Sequence, residues 1–358
     1  MYLQAQEGLM STYRQGWRRR DVFAWILAIG FLSFYLTLYY TDFFTPFAVA
    51  LGLRNKWYLY GAIYSLVMIG GGAYYLKHHG SSRYNRVRIT VNVAVQVLLA
   101  FTLPFVMTML GEKEHYFSYL WPLKIEYMYP QTLATLPVYM VAYSIAASFV
   151  VMPILTIRYG KRWYCSWICG CGALANTLGD PWRHLADKSD RAWSVEKVTV
   201  HTVMVLAVVT TALVAWNWRW GGSMPALSAF VFKLQEVYGF VVGAILAGIV
   251  GVAVYPVLGA RIWCRYFCPM AAMLGLIQKL GRFRVAVKPD MCISCGNCST
   301  YCEMGIDVRA YAQNNQSFTR ASCVGCGMCA HVCPRGVLKL DNGGAASAKR
   351  PGRLPIVD

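Results

Sequence analysis

Six long apolar runs divide the chain, and shorter polar segments connect them. Each run is close to the roughly 20 residues that an α-helix needs to cross a bilayer. The pattern therefore predicts an all-α polytopic membrane domain with six transmembrane helices. The predicted spans are residues 22–40, 57–76, 89–110, 133–157, 198–216 and 238–258. Beyond the last span the long apolar runs stop and the chain becomes rich in cysteine.

Basic residues are concentrated on alternate connections between the runs. Four precede the first run, four lie within residues 77–88 and seven lie within residues 158–197, whereas each intervening connection carries two. Cytoplasmic connections of membrane proteins carry the excess of Lys and Arg, so both chain ends are predicted to be cytoplasmic. Residues 1–21 are predicted to be a cytoplasmic segment ahead of an anchor, because a signal peptide would have a shorter apolar core and a cleavage site.

The composition agrees with a membrane protein and bears on its partners. Hydrophobic residues make up 57% of the 358 residues, and charged residues only 14%. A net charge of +18 would suit a nucleic-acid partner. However, the basic residues follow the connections as topology requires, and no nucleic-acid reading motif accompanies them. Nucleic acid is therefore not a predicted partner, and membrane lipid is.

Eight cysteines near the C-terminus repeat one spacing twice, as CxxCxxCxxxC. This is the run with which bacterial ferredoxins bind [4Fe–4S] clusters, and the fourth cysteine of each run ligates the other cluster when two are present. Two clusters are therefore predicted. The ligands of the first, here called set A, are Cys292, Cys295, Cys298 and Cys333. The ligands of the second, set B, are Cys302, Cys323, Cys326 and Cys329.

Zinc and disulfides fit this spacing less well. Structural zinc sites usually show two CxxC pairs separated by a longer insert, and disulfides are rare on the reducing side of a membrane. Gly296 and Gly327 each follow the second cysteine of a run, where they permit backbone conformations that a side chain disfavours.

A second group of five cysteines, here called the membrane-face thiols, lies just past the fourth and sixth spans. The sequences RWYCSWICGCG and RIWCRYFCP align as a local repeat that follows two helices of the same direction. Three interpretations stay open: apolar packing, a third metal or iron–sulfur site, and a redox-active dithiol beside basic residues. The five residues are Cys165, Cys169, Cys171, Cys264 and Cys268.

A quinone is a further candidate ligand. Residues 111–132, the longest predicted outer connection, combine aromatic side chains with Glu126, and Asn92 and Gln96 lie one turn apart in the third span. A solvated loop with interfacial anchors and interhelical hydrogen bonding are the alternatives. No CxxCH occurs, so covalent c-type haem is excluded.

With several spans, the double cluster motif and the CxxxCP run from Cys264 to Pro269, the chain resembles the NosR/NapH/CcoG group of membrane-bound polyferredoxins, and the NapH-like arrangement resembles it most. The first CxxxC run departs from the pattern, with Gly170 in place of Pro and an added Cys171, and Glu303 replaces the Pro after Cys302. The resemblance implies two [4Fe–4S] clusters in a bacterial inner membrane. It also implies electron transfer between quinol or cytoplasmic donors and periplasmic enzymes, or reduction of metal for cofactor assembly.

The sequence thus predicts a membrane domain at residues 22–284, a small α+β ferredoxin-like domain at 285–342 and a flexible tail at 343–358. The predicted function is electron transfer between the quinone pool or a cytoplasmic donor and a partner redox enzyme, as a quinol dehydrogenase-like subunit. Copper reduction for cofactor assembly and an iron–sulfur sensor are the alternatives. Basic residues around the clusters are expected to dock an acidic redox protein: Arg282, Arg284, Lys288 and Arg335.

Overall fold

The computed structural model describes residues 22–53, 55–111, 115–118, 120–221 and 225–343. The predicted cytoplasmic segment at residues 1–21 lies outside the described residues, as does the predicted tail beyond residue 343. The described chain is mostly helical and contains a two-stranded sheet near its end.

Six helices are long and apolar enough to cross a membrane, which confirms the predicted number of spans. The first two agree closely with the apolar runs, whereas the fifth and sixth begin well before the predicted positions. The six are α1 Val22–Tyr40, α2 Lys56–His79, α3 Arg83–Met109, α4 Val138–Tyr159, α5 Asp190–Trp220 and α6 Pro225–Ala253.

Charged residues inside α5 and α6 explain the late predicted starts. Helix α5 begins after Ser189, whose hydroxyl accepts a hydrogen bond from the amide of Ala192 at 3.2 Å, so its first two turns are polar. Helix α6 carries Lys233 and Glu236 in its first half, where they form an exposed ion pair at 2.8 Å. Apolar runs alone therefore underestimate both helices, because polar residues at a bilayer interface still continue the helical hydrogen bonding.

Short helices connect the spans and form much of the C-terminal part, residues 284–343. Strands β1 Arg284–Val287 and β2 Leu338–Asp341 pair in antiparallel fashion on either side of the eight ferredoxin-type cysteines. The short helices are Thr45–Ala50, Ile125–Met128, Pro130–Ala134, Arg162–Cys165, Gly170–Asn176, Asp180–Leu185, Tyr255–Leu258, Trp263–Phe267, Pro269–Lys279, Asn297–Thr300, Val308–Gln313 and Met328–His331.

The connection between α3 and α4 folds back into the helical bundle instead of forming a solvated loop. His115 and Leu120 are buried. The indole of Trp121 donates to the hydroxyl of Thr211 in α5 at 3.1 Å. The hydroxyl of Tyr164, next to the first membrane-face thiol, donates to the carbonyl of Ser118 at 2.6 Å. The described residues of 115–129 thus form a re-entrant segment that reaches the membrane-face thiols.

One continuous core joins this bundle to the C-terminal part. Buried residues of the re-entrant segment, of α5 and α6 and of the C-terminal part belong to the same apolar cluster. The four buried membrane-face thiols lie in that core as well. Apolar burial, the largest favourable term in folding, therefore connects the two parts of the chain.

Candidate iron–sulfur and thiol sites

Set A gathers around one small cavity. The thiols of Cys292, Cys295 and Cys298 line it together with Cys333 from the second run. Burial raises the pKa of Cys298 to about 11, and the neighbouring charges of Cys333 and Cys292 add to the effect. The structure thus brings one cysteine of the second run to three of the first, in the crossed arrangement of two-cluster ferredoxins.

Set B gathers in the same crossed way, and none of its four cysteines is exposed. Burial, together with the charges of Cys302 and Cys326, raises the pKa of Cys323 to about 12. Burial and the charges of Cys326, Cys323 and Cys302 likewise raise the pKa of Cys329. Thiols that oppose one another's ionisation can become thiolates together only when a cation neutralises them, as coordinated iron does. The donor sets therefore fit [4Fe–4S] clusters.

Two glycines set the backbone of the cysteine loops, as the sequence predicts. Gly296 and Gly327 both have φ of 80°, in the left-handed region that favours glycine. Each directly precedes a short helix, Asn297–Thr300 or Met328–His331. The two runs are thus matched in conformation as well as in spacing.

The loop that begins the second cysteine run is hydrogen-bonded to the membrane part. Three consecutive carbonyls, at residues 323–325, accept hydrogen bonds from Gln278 at 3.1 Å, Ser166 at 2.7 Å and Tyr84 at 2.8 Å. In contrast, Cys295 of set A is exposed. Set B therefore faces the spans and set A faces away from them.

The membrane-face thiols converge from both halves of the repeat. Cys165, Cys169, Cys264 and Cys268 are each between 5% and 7% exposed and share one core, and Cys171 packs partly buried against it. All five are free thiols. Cys169 and Cys268 each directly precede a helix, Gly170–Asn176 or Pro269–Lys279, so Gly170 replaces Pro without changing the local arrangement.

The five thiols differ in acidity. A hydrogen bond from the thiol of Cys171 lowers the pKa of Cys169 to about 7, although burial opposes the shift. Burial raises the pKa of Cys165 to about 12 and also raises the pKa of Cys264 and of Cys268. Cys169 is thus the most readily ionised of the five thiols, although among the described residues no three His, Cys, Asp or Glu side chains lie closely enough to hold a single metal ion.

A buried ion pair connects the membrane-face thiols with set B. The guanidinium of Arg261 lies 2.9 Å from the carboxylate of Glu303, and both side chains are fully buried. The same guanidinium approaches the sulfur of Cys264 at 3.7 Å and the carbonyl of Cys165 at 3.3 Å. Glu303 directly follows Cys302, a ligand predicted for set B. The sequence did not predict this ion pair, although Glu303 at a position where Pro was expected indicated that the position is unusual.

The ion pair extends into a buried network. Arg183 lies 3.7 Å from Glu303 and 2.6 Å from Asp180, which in turn contacts His79 at 3.1 Å. Burial alone would raise the pKa of Glu303, but the charges of Arg261 and Arg183 lower it. Both carboxylates are thus held in the charged form inside the protein.

Asn92 and Gln96 contact the loop between Cys165 and Cys169. The amide of Gln96 donates to the carbonyl of Ile168 at 2.5 Å, and the amide of Asn92 lies 3.5 Å from the carbonyl of Ser166. Gln96 also accepts a hydrogen bond from the hydroxyl of Tyr64 in α2 at 3.1 Å, in agreement with the interhelical alternative for that residue. A cavity elsewhere is better suited to a quinone.

That cavity, of about 310 Å³, lies between the re-entrant segment and α6. Glu126, Tyr129 and Glu236 line it, and Phe240 flanks it with half of its surface exposed. The hydroxyl of Tyr238 is buried beside it without a hydrogen-bond partner among the described residues. Aromatic walls with acidic and hydroxyl groups are suited to a quinone head group.

Two family models match the chain. One, described as a 4Fe-4S dicluster domain, covers residues 285–340. The other, described as a 4Fe-4S binding domain, covers two segments, 141–191 and 240–288. These two segments contain the two halves of the membrane-face repeat, which agrees with the internal repeat read from the sequence.

Curated relatives match less than half of the chain. YccM of Escherichia coli (strain K12) is 24% identical in an alignment that covers 48% of this chain and 48% of YccM. The methylamine utilization ferredoxin-type protein MauN of Methylobacillus flagellatus is 25% identical over 46% of this chain and 56% of MauN.

The ferredoxin-type protein NapH of Escherichia coli (strain K12) is 25% identical over 47% of this chain and 56% of NapH. The chain thus spans about half the length of the curated relatives that it matches. No solved structure matches. The six spans, the matched 4Fe-4S models and these relatives together confirm the predicted resemblance to the NapH-like and NosR-like membrane-bound polyferredoxins.

Proposed function

We propose that the chain transfers single electrons between the bilayer and a soluble redox protein through an ordered series of sulfur sites. The order runs from the membrane-face thiols to set B and then to set A. The observation that carries this proposal is the bonding of residues 323–325 to the membrane part, combined with the exposure of Cys295. In this order, set B exchanges electrons with the membrane-face thiols, and set A exchanges them with the soluble redox protein.

Sets A and B would each hold one [4Fe–4S] cluster, and such a cluster, when bound, is a one-electron carrier. The chain's own groups tune these sites. The amide of Ile306 donates to the sulfur of Cys302, and the amide of Val337 donates to the sulfur of Cys333, both at 3.4 Å. Hydrogen bonds to ligand sulfur and solvent exposure are the protein's levers on cluster potential.

The membrane-face thiols would form a third redox site. Their convergence, and the match of a 4Fe-4S binding model to both halves of the repeat, favour a third iron–sulfur group. Copper is the second candidate, which the lowered pKa of Cys169 favours because soft thiolates select Cu(I). Copper bound there would correspond to a cofactor-assembly function.

A quinol would be the membrane-side substrate, bound beside Tyr238 and Glu126. Its oxidation to quinone releases two electrons and two protons. The carboxylates of Glu126 and Glu236 would accept the protons, because both line the cavity and keep about half or more of their surface exposed. The electrons would leave one at a time towards Cys268, which lies in the same core as Tyr238.

The soluble partner would dock at set A. Arg282, Lys288 and Arg335 are exposed, and Arg335 lines the cavity of set A directly. A basic surface around the exposed Cys295 would steer an acidic redox protein to set A. By the distribution of basic connections, this end of a protein in a bacterial inner membrane would face the cytoplasm.

Iron analysis of protein purified without air tests the cluster assignment. Two clusters require about eight iron atoms per chain. Cys295→Ser and Cys326→Ser should each alter one of two distinct electron paramagnetic resonance signals. A double Cys165→Ser, Cys264→Ser variant should lose only iron above eight, or copper. Absence of both signals in the reduced wild-type protein would overturn the proposal.

Quinol oxidation tests the cavity. Glu126→Gln should slow the reduction of the iron–sulfur chromophore by a quinol analogue about hundredfold, because a positioned proton acceptor contributes at least that much. Reduction by dithionite should be unchanged. Glu7→Gln, outside the described residues, has no assigned role and is the matched carboxylate control. Equal quinol rates in wild type and Glu126→Gln would remove the quinone from this cavity.

A further inference from the structure

A basic cavity of about 170 Å³ lies where the first turns of α5 meet the segment before Cys323. Cys264 lines one side, so the cavity adjoins the membrane-face thiols as well as set B. Five cationic side chains line it: Lys161, Lys197, Arg265, Lys279 and Arg320. Topology accounts for an excess of basic residues at this face of the membrane, but here five of them converge on one cavity.

The carboxylates on the described cavity wall are fewer than the cations. Among the described residues that line the cavity, Glu196 is the single carboxylate, and it pairs with Arg265 at 2.7 Å. The cations of Lys197 and Arg320 both lie 4.0 Å from the ring centre of Trp193. The ring attracts both cations, but it carries no net charge, so their two positive charges are not neutralised by this contact.

Buried hydrogen-bond donors at the cavity also indicate an anionic ligand. Arg265 and Ser322 are less than a tenth exposed. One terminal nitrogen of Arg265, the Nε of Arg320 and the hydroxyl of Ser322 are buried without a hydrogen-bond partner among the described residues. Buried donors are normally satisfied, and an oxyanion would satisfy several of them at once.

One of the five cations has a different role, which is to compensate the charge of thiolates. Lys161 lies close enough to Cys165 and Cys323 to lower the pKa of both thiols. Lys197 and Arg320 stand apart from that role, because their ring contacts are with Trp193 on the α5 side. The apolar side chains of Val200 and Ala271 continue the cavity wall along the spans.

We propose that this cavity binds a phosphate group, supplied by an anionic phospholipid or by a soluble phosphate compound. Basic pockets between membrane helices recognise phosphate head groups, and guanidinium and ammonium groups bind phosphate through charge-assisted hydrogen bonds. A phosphate held beside Cys264 and the loop of Cys323 would place negative charge next to two redox sites. It would thereby make them harder to reduce.

Native mass spectrometry of the purified full chain tests the lipid source. Wild type should retain one phosphatidylglycerol in preference to phosphatidylcholine. The double variant Lys197→Gln, Arg320→Gln should bind phosphatidylglycerol about thirtyfold more weakly, because each basic residue near an anionic lipid contributes about fivefold. Arg219→Gln is the matched control, since Arg219 stacks on Trp220 at the opposite end of the same helix, and it should bind like wild type.

Inorganic phosphate tests the soluble source. If phosphate raises the unfolding temperature of wild type but not of the double variant, while the two proteins bind phosphatidylglycerol equally, the site binds phosphate from a soluble compound. An unchanged iron–sulfur spectrum shows that the double variant is folded. If the double variant does not fold, the single variant Lys197→Gln is used in its place. Equal responses of wild type and variant to phosphatidylglycerol and to phosphate would overturn the proposal.

Discussion

At the scale of single residues, Glu303 joins the two parts of the chain. Its carboxylate is fully buried between the guanidiniums of Arg261 and Arg183. A buried ion pair adds little when compared with apolar packing, but removing one partner leaves an uncompensated charge in a medium that solvates it poorly. The network therefore makes correct docking of the C-terminal part a condition for burying the two arginines.

Glu303→Ala should lower the free energy of unfolding by about 3–5 kcal/mol, because it leaves two buried guanidiniums without their shared carboxylate. Urea unfolding in detergent, followed through the iron–sulfur absorbance, measures the change. Asp42→Ala is the control, since Asp42 forms an ion pair with Lys56 while 89% of its side chain is exposed. A control effect as large as that of Glu303→Ala would contradict the assigned role.

At the scale of elements, the two cysteine runs share a backbone conformation but differ in their surroundings. A Cβ on Gly327 would lie 2.8 Å from the ring of Tyr84, whereas a Cβ on Gly296 would meet nothing within 4 Å. Tyr84 also donates to the carbonyl of Gly325. The second run is thus constrained by α3 as well as by its own turn.

Gly327→Ala should therefore cost more than Gly296→Ala. Both substitutions place a side chain in the left-handed region, at about 1–2 kcal/mol, but only Gly327→Ala also displaces Tyr84. We expect iron content and unfolding free energy to fall further for Gly327→Ala, with the resonance signal of set B affected first. Equal losses in the two variants would show that the contact with Tyr84 is unimportant.

The re-entrant segment is held by hydrogen bonds whose cost of removal depends on burial. The hydroxyl of Tyr164 donates to Ser118 at 2.6 Å in a side chain that is 1% exposed. The hydroxyl of Tyr143 donates to Phe117 at 2.7 Å, but Tyr143 is 36% exposed.

Tyr164→Phe should destabilise the protein by about 1–3 kcal/mol, because it leaves a buried carbonyl without its donor. Tyr143→Phe should cost less than about 1 kcal/mol, since water or a lipid head group replaces the lost donor. Thermal unfolding of the two matched variants measures the difference. A larger loss for Tyr143→Phe would mean that the segment is anchored from the outer side.

At the scale of the whole molecule, periodicity and spacing determine much of the architecture. Apolar length predicts the six spans, and the repeated CxxC spacing predicts which cysteines the structure brings together in set A and set B. Both signals are local in sequence and depend on simple geometry. Gly296 and Gly327 were predictable for the same reason.

The contacts between distant segments were not predictable in this way. Arg261 and Glu303 meet only because the C-terminal part folds onto the spans, and no periodicity encodes that docking. The re-entrant segment has the composition of an interfacial loop, so its burial depends on space left between α4, α5 and α6. The early start of α6 was hidden by Lys233 and Glu236, which pair with each other in the helix.

The pair between Arg261 and Glu303 has a consequence for biogenesis. The ribosome adds Arg261 42 positions before Glu303, so every nascent chain inserts its last helix while that guanidinium still lacks its counter-ion. Until Glu303 is added, the guanidinium of Arg261 must stay hydrated, because an unpaired buried charge is costly. Released chains truncated before position 303 should accordingly be alkylated at Cys264, whereas full-length chains should resist.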